Sequence, residues 1–164
     1  MAVTLNASTS TGLVQSADTS GEIQLQSNGT TELTVSSTGV TVADNLLFNS
    51  GYGSSAIAYG CRAWVNFNGT GTVAIRASGN VTSITDNGTG DYTVNFTNAM
   101  PDANYAQVLI HSPSYGAAFP TPAFNSNTST LTEVAPTTTA ARFACAISLA
   151  TYFDPKYVNF AVFR

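Results

Sequence analysis

Two consecutive ten-residue segments, GEIQLQSNGT (21–30) and TELTVSSTGV (31–40), carry the same pattern. Glu22 matches Glu32, Ile23 matches Leu33, Leu25 matches Val35, Ser27 matches Ser37, and Gly29 matches Gly39. Each segment is a short run of alternating apolar and polar residues followed by a glycine turn, which reads as a strand that reverses on itself. Asn28-Gly29 suits a hairpin turn, because both residues tolerate positive φ. Val40 and Val42 start a third, weaker strand. The chain is thereby constrained at its front to a thin β-meander with Ile23, Leu25, Leu33, Val35, Val40 and Val42 as its apolar residues and Gln, Thr and Ser on the other face.

Such a meander has an energetic problem. Burying a Val or Leu side chain yields roughly 1.5–3 kcal/mol, whereas ordering each residue costs roughly 1–2 kcal/mol of backbone entropy. With two apolar side chains per strand, the sheet must press its apolar face onto something else. Either it docks on the rest of the chain, or it packs on copies of itself around an axis. Regular repeats with one apolar face favour the second reading, a threefold prism, and make the six apolar residues candidate oligomerisation contacts.

Residues 1–20 form a polar lead of Ser, Thr, Ala and Asn, so residues 1–50 read as an attachment and oligomerisation segment. NSGYGSSAIAYG (49–60) is rich in Gly and small residues, and residues 51–60 read as a linker. From residue 61 a larger β domain is expected. Its candidate strands are CRAWVNF (61–67), TVAIRA (72–77), NVTSI (80–84), DYTVNFT (91–97), YAQVLIHS (105–112), STLTEV (129–134), ARFACAISLA (141–150) and YVNFAVF (157–163). Turn signals separate several of them: NGTG at 68–71 and again at 87–90, SGN at 78–80 and MPDAN at 100–104. Many short strands at this spacing predict an all-β chain ending in a β-sandwich of jelly-roll type over 61–164. Trp64, Phe67, Tyr92, Phe96, Tyr105, Phe143 and Phe160 are expected in its core or at an interface.

Composition narrows the function classes. Charged residues are 9% of the chain and the net charge is −4. Arg62, Arg76, Arg142, Arg164 and the single Lys156 are scattered, so the basic stripe of a nucleic-acid binder is missing. No run of 18 apolar residues predicts a membrane span. The opening MAVTLNASTSTG lacks the charged start and apolar centre of a signal peptide. Cys61 and Cys145 read as two buried free thiols, with one disulfide the alternative if their strands face each other. Two cysteines and one histidine cannot supply a four-ligand zinc site, and no metal or cofactor is expected.

Three stretches invite a functional reading. DNGTGD (86–91) resembles the start of a calcium loop, but the twelfth position from Asp86 is Thr97 rather than a bidentate carboxylate. Gly88 and Gly90 fit a tight reversal between NVTSI and DYTVNFT instead. His111, the only histidine, ends an apolar strand; without a G-x-S-x-G elbow nearby it reads as structural or as a rim residue. Most acids fall in predicted turns, which gives no pair placed for glycoside hydrolysis, and the chain is expected not to be an enzyme. SPSYGAAFPTPAFNSNTST (112–130) is the longest irregular stretch, and its Tyr115, Phe119 and Phe124 on a rigid scaffold suit recognition of a sugar or a partner. The alternative is a loop that packs its own aromatics or lies in a subunit interface.

CRAWVNFNGTGTVAIRASGNVTSITDNGTGDYTVNFTNAMPDANY (61–105) and the closing YVNFAVF resemble a C-terminal domain of virion structural and tail-fibre proteins of tailed bacteriophages, especially phages of marine and freshwater bacteria. LQSNGTTELTVSSTGVTV is similar to the β-repeat shaft or collar of such fibres. The resemblance implies a virion component, a homotrimer assembled in a bacterial cytoplasm and docked to other tail or capsid proteins; it assigns no receptor, and a host surface glycan as partner rests on the aromatic stretch 112–130 alone. A short tail fibre and a capsid decoration protein both fit it.

Overall fold

The computed structural model describes residues 21–49, 54–112, 121–124, 126–127, 132–148 and 151–164. The chain divides into two units, Met1–Ala58 and Tyr59–Arg164. All described elements are β-strands, and every pairing between them is antiparallel.

In the first unit, β1 (Ile23–Ser27), β2 (Thr30–Ser36) and β3 (Gly39–Val42) form a three-stranded sheet in chain order. Asn28 and Gly29 have φ of 50° and 79°, the pair of positive values that a two-residue hairpin turn matching the strand twist requires. A short ladder joins β4 (Leu47–Phe48) to β5 (Ala56–Ile57), and the Ala58 amide donates to the Leu46 carbonyl at 2.9 Å. Ala56 and Ile57 lie in the stretch expected as a linker; the backbone of Leu47–Phe48 gives them strand partners. No described residue of this unit is buried.

The second unit holds β6 (Cys61–Asn68), β7 (Ala74–Gly79), β8 (Val81–Gly88), β9 (Asp91–Phe96) and β10 (Ala106–His111). It continues with β11 (Thr121–Phe124), β12 (Ser126–Asn127), β13 (Thr132–Glu133), β14 (Ala140–Ser148), β15 (Thr151–Tyr152) and β16 (Val158–Phe163). One sheet has the order β10-β16-β6-β7. The other has the order β11-β14-β9-β8, with β15 on β14, and β12 pairs β13 separately. Alternation along the strands turns Ala63, Val65 and Phe67 of β6, Val158, Phe160 and Val162 of β16, and Tyr92, Val94 and Phe96 of β9 into one core. Phe67 and Phe160 from the first sheet meet Tyr92 and Phe143 from the second. Phe143 stacks on Phe160 at 5.4 Å, and Phe67 meets Tyr92 edge-on at 5.1 Å. This is a β-sandwich, as the strand spacing predicts.

Asn80 makes the corner where the chain leaves the first sheet for the second. At φ 57°, its amide donates to the carbonyls of Arg62 and Asn98 at 3.0 and 3.1 Å and accepts from the Asn98 amide at 2.7 Å. At the C-terminus, Arg164 pairs with Asp102. Trp64, expected in the core or at an interface, lies outside the core: it is 44% exposed on the outer face of β6.

Candidate functional site

The six candidate oligomerisation residues are brought together by strand register. Ile23 pairs with Val35 and Val35 with Val40, while Leu25 pairs with Leu33 and Leu33 with Val42. Successive residues of a strand point to opposite faces, so these two rows make a two-by-three apolar patch. Ile23, Leu25, Val35, Val40 and Val42 are all exposed, and Leu33 on the central strand is half-buried. The other face is polar and tied to itself: Gln26 Nε2 donates to Thr31 Oγ1 at 3.2 Å, and Thr31 Oγ1 donates to Gln24 Oε1 at 3.3 Å. Each of the six side chains leaves about half of its burial free energy unrealised, on the order of 1 kcal/mol apiece. That is a driving force for covering the face. Leu46, Leu47 and Phe48, and Ile57 on β5, are exposed as well. Sequence reasoning gave these no role, although the run NLLF (45–48) signals them.

DNGTGD is the end of a hairpin. β8 and β9 flank Thr89-Gly90, and Gly88 pairs with Asp91. The two acids face different partners. Asp86 Oδ1 accepts the Gly88 amide at 3.0 Å. Asp91 is fully buried and takes Arg142 bidentately, with Nε and Nη2 each 2.8 Å from one oxygen. Its carboxylate holds the Arg142 guanidinium above its ordinary value, chiefly through these hydrogen bonds. Asn87 Nδ2 also donates to Asp91 Oδ1 at 3.3 Å. Asp154 Oδ1 accepts the Gly90 amide at 2.6 Å and the Tyr92 hydroxyl at 2.8 Å, and that hydroxyl also reaches the Gly69 carbonyl at 3.1 Å. Burial, then the bond to Asp154, raise the Tyr92 phenol well above its ordinary range. These groups lock three loops together. Among the described residues, no three His, Cys, Asp or Glu side chains are placed to share a metal ion.

The stretch expected as a recognition loop, 112–130, falls mainly outside the described residues, and Tyr115 and Phe119 with it. Phe124 belongs to β11, where its backbone pairs with Phe143. His111 points inward from β10 and is 7% exposed; Nδ1 lies 3.1 Å from the Ser112 carbonyl and the ring meets Phe153 edge-on at 5.4 Å. Both cysteines are free. The expectation of two buried thiols is corrected for Cys61, which is exposed at the start of β6, while Cys145 is buried in β14. Their strands belong to different sheets. Burial pushes the Cys145 thiol up to about 12, which leaves it inert as a nucleophile.

No protein-family model, no curated protein and no solved structure matches the chain.

Proposed function

We propose that the chain is a non-enzymatic structural protein of a tailed-bacteriophage virion. It acts as a trimeric short tail fibre, in which the N-terminal sheets of three copies pack around an axis and dock to the particle while the sandwiches face outward towards the host surface. The observation that carries this reading is the two-by-three apolar patch, made by a ten-residue repeat in a unit with no buried described residue. A sheet of that kind needs a partner surface, and three copies of one chain supply it by symmetry. The resemblance of 61–105 to phage fibre domains supports the virion setting.

The test is gold-labelled antibody against this chain on intact virions, seen by negative-stain microscopy. Label at the tail is the expected result. Label across the head would assign the chain to capsid decoration instead, and unlabelled particles would remove the virion reading altogether.

A further inference from the structure

The step Asn-Gly-Thr occurs three times, at 28–30, 68–70 and 87–89. Before a glycine, an asparagine side chain is open to attack by its own backbone, because glycine has no side chain to hinder the following amide. The three steps share their sequence, so the fold separates them. Asn68 is tied at both ends of its side-chain amide: Nδ2 donates to the Thr70 carbonyl at 2.7 Å, and Oδ1 accepts the Thr70 hydroxyl at 2.9 Å. The Gly69 amide, the group that would attack, donates to the Pro155 carbonyl at 2.9 Å. Asn87 Nδ2 donates to Asp91 Oδ1 and Thr93 Oγ1, and the Gly88 amide donates to Asp86 Oδ1 at 3.0 Å. Both turns belong to the unit that holds the core. Asn28 has none of these restraints. Asn28 and Gly29 are exposed, and a Cβ on Gly29 would meet nothing within 4 Å. Among the described residues, no hydrogen bond engages the Asn28 side chain or the Gly29 amide. The turn lies in a unit with no buried described residue, so the end of this hairpin opens at low cost.

We propose that Asn28 is a self-modification site, converted by its own chain to aspartate and isoaspartate ahead of Asn68 and Asn87. The Gly29 nitrogen gives its proton to a solvent base and bonds to Asn28 Cγ. The bond from Cγ to Nδ2 breaks, and the amide departs as ammonia to leave a cyclic succinimide. Water then opens the ring. Cleavage between Cγ and the Gly29 nitrogen gives aspartate in an unaltered backbone. Cleavage between the Asn28 carbonyl carbon and that nitrogen leaves Gly29 attached through Cγ, as isoaspartate. Water is the only co-reactant. The two products differ in their effect. Aspartate tolerates positive φ and keeps the turn. Isoaspartate adds a carbon to the backbone of a two-residue loop whose length sets the pairing of Ser27 with Thr30. Hairpin register follows loop length, and a slip turns side chains to the wrong face. The isoaspartate form therefore loses the alignment of Ile23 with Val35 and Leu25 with Leu33 that builds the apolar patch. Such a chain is expected to leave the assembly; this consequence, unlike the conversion itself, rests on the trimer reading above.

The experiment incubates the full-length protein at mildly alkaline pH, folded and in urea, and follows the three sites by peptide mass mapping after digestion in mild acid. Isoaspartate is scored by enzymatic methylation of its carboxylate. In urea the three steps are expected to convert at comparable rates, since no fold separates them. In the folded protein Asn28 should convert at close to its rate in urea. Asn68 and Asn87 should convert roughly tenfold or more slowly, because their hydrogen bonds must open first. Folded protein in which Asn68 or Asn87 keeps pace with Asn28 overturns the proposal, and so does an Asn28 that converts in urea but not in the fold. Light scattering, with mapping of the separated species, tests the consequence. Isoaspartate at position 28 should collect in the monomer, while Asn28→Asp assembles like the unmodified chain. Isoaspartate shared evenly between assembled and monomeric species overturns the consequence and leaves the conversion standing. A monomer at every concentration overturns the trimer reading and the consequence with it, and again leaves the conversion standing.

Discussion

At Gly90 the backbone sits at φ +69°, and a Cβ would lie 2.6 Å from the Cys145 carbonyl oxygen and 2.7 Å from that of Phe153. Both obstacles are backbone atoms of neighbouring segments, so neither yields by a rotamer change. Left-handed geometry costs a non-glycine residue roughly 1–2 kcal/mol, and overpacking adds about 1–3 kcal/mol. Gly90→Ala is therefore expected to lower unfolding free energy by about 3 kcal/mol, measured by urea denaturation. A loss under about 1 kcal/mol would mean that the turn does not bear on β14 and β15 as described. The buried titratable groups add a pH dependence. Burial raises Cys145 from its ordinary 9.0 to about 12 and Tyr105 from 10.0 to about 12. Both are harder to ionise folded than unfolded. Their contribution is thus complete below pH 9 and is lost as pH rises from 9 towards 12. Melting temperature should hold steady to about pH 9 and then fall. In Cys145→Ala the fall should begin nearer pH 10, where the remaining buried phenols, Tyr92 and Tyr105, start to ionise in the unfolded chain. An identical profile in both proteins would contradict this assignment.

At the scale of the element, the N-terminal sheet is specified by register. Val35 occupies the centre of one apolar row, between Ile23 and Val40. In a trimer packed on that face, Val35→Asp would bury an unpaired carboxylate in each chain, at a cost of several kcal/mol apiece. The expected outcome is a monomer by light scattering with an unaltered sandwich, while Thr34→Asp on the opposite face leaves the oligomer intact. The hairpins of this sheet and of residues 83–96 were legible in the sequence because local alternation and glycine turns set them. Pairings between distant strands, such as β10 with β16 and β9 with β14, were not, because a period of two gives the face of a residue but not its neighbour strand. Asn80 was read as a turn residue; its role in tying Arg62 to Asn98 depends on contacts distant in sequence. Trp64 is expected in the core or at an interface. The alternation of CRAWVNF carried the sharper signal, since it puts Ala63, Val65 and Phe67 on one face and Trp64 on the other with Asn66.

On the scale of the whole molecule, the distribution of burial separates the two units. Every fully buried described residue belongs to Tyr59–Arg164, including the four-ring cluster of Phe67, Tyr92, Phe143 and Phe160. A single core of this kind is what lets a domain of ordinary size fold alone. The described residues among 21–58 have strands and turns without a buried side chain, and on the proposed reading a partner surface covers their apolar face. A fragment spanning residues 59–164 should therefore unfold cooperatively, with a midpoint close to that of the sandwich transition in the full chain. A fragment spanning residues 1–58 should lack a cooperative transition at low concentration and gain β-structure only as it associates. Circular dichroism of both fragments across a concentration series decides the matter. A concentration-independent transition in the N-terminal fragment would mean that the apolar face is covered within one chain, and the driving force for trimerisation would be gone. A C-terminal fragment that fails to fold would mean instead that the sandwich depends on the first unit, and the proposed division between a self-associating N-terminal unit and an autonomous C-terminal sandwich would not hold.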